Sequence, residues 1–356
     1  TRSGYGEQTR FALRALRSRE DLFEIFINPL EWGQTSWMHE IDSEREWIDQ
    51  TIEKTIAFIQ SGGKADVSLQ VTIPNEWDDS IAKTNVGFTA GIETTQVAHQ
   101  WIERGNIMDG IIVVSNHAKS VYENTEYIAR NEATGQEVEF KLTTPVSVAN
   151  YPAKVFTNLP ELDLELDYDF NFLTIAQFGP RKNLPNTVKW FVEEFQNEEV
   201  GFVVKTNIAK NSYIDREQVF HQMRSFLQQY PNRKCKVYLL HGDLYDDEIH
   251  SLYKHPNIKA MVTMTHGEGF GLPIFEAAYS GLPTICPGWS GQLDFLVDKT
   301  GTSKFYNVEY DIGVIPENVV WEGVLIKQSG WAYAREHSAK QQMRRCYSEL
   351  TSEKSE

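Results

Sequence analysis

Short apolar, β-rich runs alternate with helical patterns along all 356 residues, and that alternation leaves few folds open. In the first half the strand candidates are Leu22–Asn28, Val67–Ile73, Asn85–Thr89, Gly110–Ser115 and Val146–Asn150. Helical patterns lie among them at Glu7–Arg17, Ser43–Gln60, Thr94–Arg104 and Ala118–Ala129. The second half repeats the arrangement, with strands at Phe170–Gln177, Gly201–Thr206, Lys236–His241, Ala260–Thr265 and Pro283–Cys286. Its helices fall near Leu184–Phe195, Glu217–Gln229, Asp246–Tyr253, Ile274–Ser280 and Gln292–Val297. Alternation with connections this short predicts parallel sheets covered on both faces. Two such blocks predict an α/β chain of two doubly wound, Rossmann-like domains, 1–165 and 166–333, facing a cleft. The acidic, proline-containing stretch Asn158–Tyr168 is the expected joint. A charged amphipathic helix at Ala334–Leu350, within the tail 334–356, is expected to cross back and pack on the first domain. The chain opens T-R-S-G-Y-G-E-Q, a Gly-rich turn running into a helix. Such a turn ordinarily follows a strand, so a first strand is expected upstream.

Charge excludes one class of function. Lys plus Arg number 34 against 50 Asp plus Glu, a formal net charge of −16, where a general nucleic-acid binder needs a basic field. The hydrophobic share of 41% suits a packed globular protein. Cys235, Cys286 and Cys346 are odd in number and far apart, so neither a disulfide framework nor a Cys-x-x-Cys metal site is formed. The simplest expectation is a reducing cytoplasm. No apolar run approaches the roughly 18 residues of a membrane span.

One junction concentrates the chemistry. Thr265–Ile285, T-H-G-E-G-F-G-L-P-I-F-E-A-A-Y-S-G-L-P-T-I, follows the apolar run Ala260–Met264. Gly267, Gly269 and Gly271 let the backbone turn sharply and approach a ligand. Pro273 suits a first helical position, and Gly281 suits a C-cap. The N–H groups near Gly271 and Leu272 then form a site for phosphate or another anion. Glu268 and Glu276 would repel that anion, so they are expected to serve hydroxyl groups of a ribose or hexose, since a carboxylate accepts O–H bonds. The ordinary alternative is a Gly-rich αβ junction with Glu276 complementing the helix dipole.

Cations must come from elsewhere. Phe178–Asn183, F-G-P-R-K-N, offers Arg181 and Lys182 at a strand's carboxyl end, suited to neutralising a diphosphate. Lys205 ends a buried strand and needs a phosphate or an acidic partner. Gly4 and Gly6 could approach a phosphate or substrate, with an ordinary turn as the alternative. Glu93, in T-A-G-I-E-T, could touch an acceptor hydroxyl or serve a plain helix cap. His99 and His117 read as structural. Arg10, Arg14 and Arg17 share a helical face that is either solvated or, as the minority reading, in contact with anionic lipid. Asp78–Asp79 and Asp246–Asp247 lack further ligands at metal spacing, so no metal site is assigned.

E-G-F-G-L-P-I-F-E-A at Glu268–Ala277 resembles the E-x7-E signature of family 4 glycosyltransferases, retaining enzymes of the GT-B fold. P-R-K-N at Pro180–Asn183, D-D-E-I-H-S-L-Y at Asp246–Tyr253, the Gly281–Pro283 turn and S-G-Q-L-D at Ser290–Asp294 follow in the family's order, and S-G-Y-G at Ser3–Gly6 resembles its N-terminal glycine loop. The resemblance implies an N-terminal acceptor domain and a C-terminal donor domain. It implies that Glu276 holds the ribose of a nucleotide sugar and Glu268 the hydroxyls of the donor sugar. Backbone amides of Phe270, Gly271 and Leu272, beside Gly269, meet the sugar and distal phosphate, and Lys182 neutralises the diphosphate. Many members carry Arg where this chain has Gln177, so Arg181 or Lys205 is the expected substitute. The implied reaction is metal-independent, retaining transfer from a UDP-, GDP- or ADP-sugar, with no other cofactor, to a glycan, lipid-linked glycan, protein or small molecule. The implied location is cytoplasmic or peripheral at a membrane. A sugar-nucleotide epimerase or phosphorylase of the same fold, and a degenerate member that only binds nucleotide sugar or glycan, are the alternatives. Donor base, donor sugar, acceptor and oligomeric state are left open.

Overall fold

A computed structural model describes residues 4–30, 41–130 and 134–352. They fall into two compact units. The first is drawn from Thr1–Gly91, Gln96–Pro152 and Trp321–Ile326, the second from Ile92–Thr95, Ala153–Val320 and Lys327–Glu356. Each is Rossmann-like, a parallel sheet with helical crossovers.

In the first unit, helices α1 (Gly4–Arg17) and α2 (Ser43–Gln60) precede strands β1 (Ala65–Val71) and β2 (Ala82–Thr89). Helix α3 (His99–Asn106), strand β3 (Gly110–Val113) and helix α4 (Asn116–Asn124) follow. Strands β4 (Glu126–Arg130) and β5 (Glu137–Lys141) form a separate antiparallel hairpin before β6 (Val146–Val148). The sheet runs β1-β2-β3-β6, every pair parallel. Trp101, Tyr122, Ile102 and Ile111 fill its core. The late segment Trp321–Ile326 is tied in by Asn75, which donates to the Gly323 carbonyl (3.0 Å) and accepts from Trp101 Nε1 (2.7 Å).

Three expectations change here. Leu22–Asn28 is not a strand: Ile27 N–H donates to Thr55 Oγ1, and Phe26 stacks on Phe58 of α2 at 4.2 Å, so a helix replaces a ladder partner. Gly4 and Gly6 lie in the first turn of α1 instead of in a loop before it, while Ser3 lies outside the described residues. The helix expected over Ala118–Ala129 ends at Asn124, where Thr125 Oγ1 bonds back to the Val121 carbonyl (2.7 Å) and the alternating Tyr127-Ile128-Ala129 enters β4. The arginine stripe of α1 is engaged within the unit. Arg14 makes a bidentate pair with Glu44 (2.6 and 2.8 Å), Arg10 bonds Glu7, and Arg17 lies over the Trp47 ring.

In the second unit, strand β7 (Asn171–Ile175), helix α5 (Leu184–Phe195), strand β8 (Gly201–Lys205), helix α6 (Tyr213–Leu227) and strand β9 (Lys236–Leu240) come first. Helix α7 (Asp246–Lys254), strand β10 (Ile258–Val262), helix α8 (Leu272–Tyr279), strand β11 (Thr284–Pro287), the short helix α9 (Leu293–Leu296) and strand β12 (Tyr306–Val308) complete the winding. The sheet order is β12-β11-β10-β7-β8-β9, all parallel. Its strands are apolar on both faces, as a sheet covered on both sides requires. Phe172, Phe202, Val204, Ala260 and Val262 pack with α5 and α6, whereas Leu173, Val203 and Met261 pack with Leu252 of α7 and Ala277 of α8. An antiparallel pair, β13 (Tyr310–Val314) with β14 (Gly330–Ala334), precedes helix α10 (Glu336–Ser352).

Helix α10 packs on the second unit, where the expectation put it on the first. Ala339, Met343 and Cys346 of α10 are buried in the second unit's own core. Arg344 bonds Glu194 of α5 (2.7 Å) and covers the Phe195 ring, and Lys340 pairs with Glu193 (2.6 Å). The apolar stripe of α10 therefore finds its cover beside α5. The acidic stretch expected as a joint also belongs to this unit. Leu162, Leu164 and Leu166 alternate inward onto the face carrying α7 and leave the acids outside. No helix of the described residues is long and apolar enough to cross a membrane.

Candidate functional site

The site lies at the carboxyl ends of β7 and β10 in the second unit. After β7 the chain makes a 3-10 turn, Pro180–Lys182, and Asn183 takes φ +50° before α5. That turn presents Arg181 and Lys182 to the loop following β10, and the two loops are stitched by the His266 N–H donating to the Arg181 carbonyl (2.8 Å).

Glu268 is the centre. Only 9% of its side chain is exposed. Its Oε1 accepts from Lys182 Nζ (2.6 Å) and Thr265 Oγ1 (2.8 Å), and its Oε2 accepts from Arg181 Nη1 (3.0 Å). Burial alone would raise its pKa, but the charges of Lys182 and Arg181 outweigh burial and hold it down at about 2. Burial lowers Lys182, and Arg181 lowers it further against the pull of Glu268. Arg181 has two more partners: Nη1 donates to the Gly267 carbonyl (2.6 Å), and Nη2 faces Glu93 Oε1 at 3.5 Å. Two cations thus meet two carboxylates, and the cluster carries no net charge.

The backbone around Glu268 is equally fixed. Its N–H donates to Ser290 Oγ (2.9 Å), Ser290 donates to Gln292 Oε1 (2.8 Å), and Gln292 Nε2 donates to the Pro287 carbonyl (3.1 Å). Ser290 holds φ +77°, a strained conformation for a residue with a Cβ, and one found mostly at functional sites. The glycines do not all serve the purpose expected of them. A Cβ on Gly267 would stand 2.2 Å from the Glu93 carbonyl oxygen, and one on Gly291 2.0 Å from the Gly269 carbonyl. Both are required by backbone packing within the protein. Gly271 is different: its φ of +92° starts α8, and the N–H groups of Gly271 and Leu272 meet no acceptor among the described residues. N–H groups left free at a helix start are what the expected anion site requires.

The remaining candidates have partners other than Glu268 or belong to the other unit. Glu276 sits on α8 and accepts from Tyr253 Oη of α7 (3.1 Å). Tyr253 is buried, and burial together with the Glu276 charge raises its pKa. Phe270 points away from solvent, packed on Phe275 and Phe295. Lys205 Nζ bonds the Gly242 carbonyl in the loop after β9. Gln177 Nε2 donates to the Ile208 carbonyl (2.6 Å), bracing the loop after β8, whereas Arg181 and Lys182 share Glu268 as a partner. Gly4 and Gly6 belong to the other unit.

Sequence reasoning quoted the motifs that contain Thr265, Ser290, Gln292 and Tyr253 without giving those residues a role, and it missed a buried brace at Asp215. Asp215 accepts from the amides of Ile208, Ala209 and Lys210 (2.8–2.9 Å) and from His241 (2.8 Å). Burial would raise its pKa, but these bonds lower it to about 2. His266 was also missed: its ring lies parallel to Trp331 at 5.5 Å and donates to the Ala332 carbonyl. Burial lowers its pKa. The only signal available was polar residues following strand ends, which most loops share.

No protein-family model and no curated protein matches the chain. Among solved structures, it is similar to an apo OtsA, at 10% identity and a TM-score of 0.46, over 64% of this chain and 57% of that one. It is similar to an E. coli trehalose-6-phosphate structure bound with UDP-2-fluoro glucose, at 10% identity and a TM-score of 0.49, over 70% of this chain and 64% of that one. A third is the pneumococcal O-GlcNAc transferase GtfA with UDP and GlcNAc, at 13% identity and a TM-score of 0.43, over 82% of this chain and 51% of that one. The chain therefore spans between about half and two thirds of the length of these structures. The likeness is remote both in sequence and in superposition. At this distance it assigns no residue a role.

Proposed function

We propose that the protein is a glycosyltransferase that moves a sugar from a nucleoside-diphosphate sugar to an acceptor hydroxyl, with retention and without a metal. The observation that carries this reading is the part-buried Arg181–Lys182 pair fastened to Glu268, which lies in the loop that leads into the unpartnered amides of α8.

Breaking a glycosyl–phosphate bond builds positive charge on the sugar and negative charge on the diphosphate. Stabilisation is greatest where donors are already aimed at the developing charge. Arg181 and Lys182 supply two cations, and the Gly271 and Leu272 amides supply dipoles. When the diphosphate takes these cations, the Glu268 carboxylate is released to the sugar's hydroxyls. Tyr253 orients Glu276 to receive ribose hydroxyls. Glu268 gives its oxygens to Lys182, Arg181 and Thr265, which suits an orienting group better than a covalent nucleophile. The reading therefore favours same-face attack, in which the departing phosphate accepts the acceptor's proton.

The test is turnover of UDP-, GDP- and ADP-sugars by the wild type and Glu276→Ala. Loss of a hydrogen-bonded carboxylate is expected to lower kcat/KM about 10- to 100-fold with the fold intact. Undiminished turnover of every active donor would sink the assignment. Activity in excess EDTA is expected to match activity without it, and a loss restored by a divalent ion would overturn the metal-independent part.

A further inference from the structure

We propose that Glu93 is an electrostatic gate on the diphosphate subsite, setting how tightly the site holds a nucleoside diphosphate. The inference rests on the reading of Arg181 and Lys182 given above.

Arg181 holds its partners unequally. The Gly267 carbonyl and Glu268 lie within hydrogen-bond distance, at 2.6 and 3.0 Å, but Glu93 Oε1 stands 3.5 Å from Nη2 and makes an ion pair without a hydrogen bond. No hydrogen bond reaches the Glu93 carboxylate from any described residue, and 27% of its side chain is exposed, against 9% for Glu268. Glu93 is thus the partner Arg181 can exchange at least loss. Its backbone, by contrast, is anchored. The Glu93 carbonyl lies against Gly267, Thr95 N–H donates to the Gly330 carbonyl (3.1 Å), and Gly330 N–H donates to Thr95 Oγ1 (2.8 Å). A loosely bound charge on a fixed backbone stays beside Arg181 when that cation turns to another anion.

The cluster is neutral before any ligand arrives, so a diphosphate must compete with Glu93 for Arg181. Competition matters most after transfer. Once the sugar has left, the terminal phosphate ionises a second time, with a pKa of about 6. The product is then more anionic than the donor, and fixed cations that stabilise the leaving group would retain it. Product release limits many enzymes. A carboxylate that returns to Arg181 weakens the more highly charged ligand more and so favours its departure.

Isothermal titration of the wild type, Glu93→Gln and Glu93→Asp with pyrophosphate, UDP, GDP and ADP tests this. For whichever diphosphate binds the wild type, Glu93→Gln is expected to lower Kd about three- to tenfold, the scale of one charge beside a partly exposed cation. The matching nucleotide sugar should gain less, and Glu93→Asp should stay near wild type. Unchanged or weaker diphosphate binding in a Glu93→Gln protein that melts normally overturns the gate; the first outcome is what a plain acceptor contact gives and the second what a structural tether gives. Should the wild type bind no diphosphate, the glycosyltransferase reading fails and the gate with it. If the wild type binds and Glu93→Gln gains nothing, the gate alone is lost.

Discussion

Glu268 illustrates how far a single residue's setting can differ from its motif. In the sequence it is one of two carboxylates flanking an anion site, and the spacing shows no reason for it to carry a cation. In the protein it holds both cations, so a change at Glu268 acts first on them. Glu268→Gln removes one of the two carboxylates that face the part-buried Arg181–Lys182 pair, and losing a partner of charged groups costs about 1–3 kcal/mol. The variant is expected to unfold at lower urea than wild type, and pyrophosphate should restore part of the difference. A carboxyl held near pH 2 in the folded state, below its unfolded value, contributes stability above the unfolded value and loses it as pH falls towards 2. The gap between wild type and Glu268→Gln should therefore stay level from about pH 7 to 5 and shrink at lower pH. A gap that closes above pH 5 would show that Glu268 is not held ionised. Arg181, Lys182 and Glu268 were legible as chemistry because strand ends with paired cations and Gly-flanked carboxylates are rare. Their mutual bonding was not legible, because it depends on which loops neighbour each other across β7 and β10, and strand order is not written in either segment.

At the scale of elements, helices and sheet strands with strong periodicity were read nearly to the residue. Ser43–Gln60 and Leu184–Phe195 match their expected spans. The failures share one physical cause. Leu22–Asn28 has the composition of a strand but lies on a helix, and the apolar stripe of α10 has a cover that local sequence cannot name. An amphipathic face specifies that it must be buried and leaves open against what. Met343 is wholly buried beneath α10, so Met343→Ala is expected to cost about 2–5 kcal/mol by chemical denaturation. A cost under about 0.5 kcal/mol would mean that the helix does not dock on the second unit as described. The loop glycines carry the same lesson. Gly281, expected as a C-cap, has φ +81° and closes α8, whereas Gly267, expected for a ligand's approach, and Gly291, quoted in a motif without a role, are needed where two backbones touch.

For the whole molecule, the groups proposed to hold the nucleotide, Arg181, Lys182, Glu268, Glu276 and the Gly271 and Leu272 amides, all come from the second unit. A nucleoside diphosphate at a hundred times its Kd should add about 2.7 kcal/mol to that unit's stability. In calorimetry, a transition assigned to the second unit through Met343→Ala is expected to rise with ligand; a rise confined to the other transition would place the nucleotide elsewhere. Two doubly wound units were legible from the alternation of strand and helix. Their chain membership was not, because the exchanges are short: Ile92–Thr95 belongs with the second unit and Trp321–Ile326 with the first. Those exchanges have a consequence for biosynthesis. A growing polypeptide leaves the ribosome at roughly 5–20 residues per second and usually folds its leading domain first. Here the first unit must wait for Trp321–Ile326, which emerges only after the body of the second unit, before Asn75 can bond to Gly323. The first unit therefore stays unfinished while the body of the second is being made, and that interval is when chaperones would matter to it.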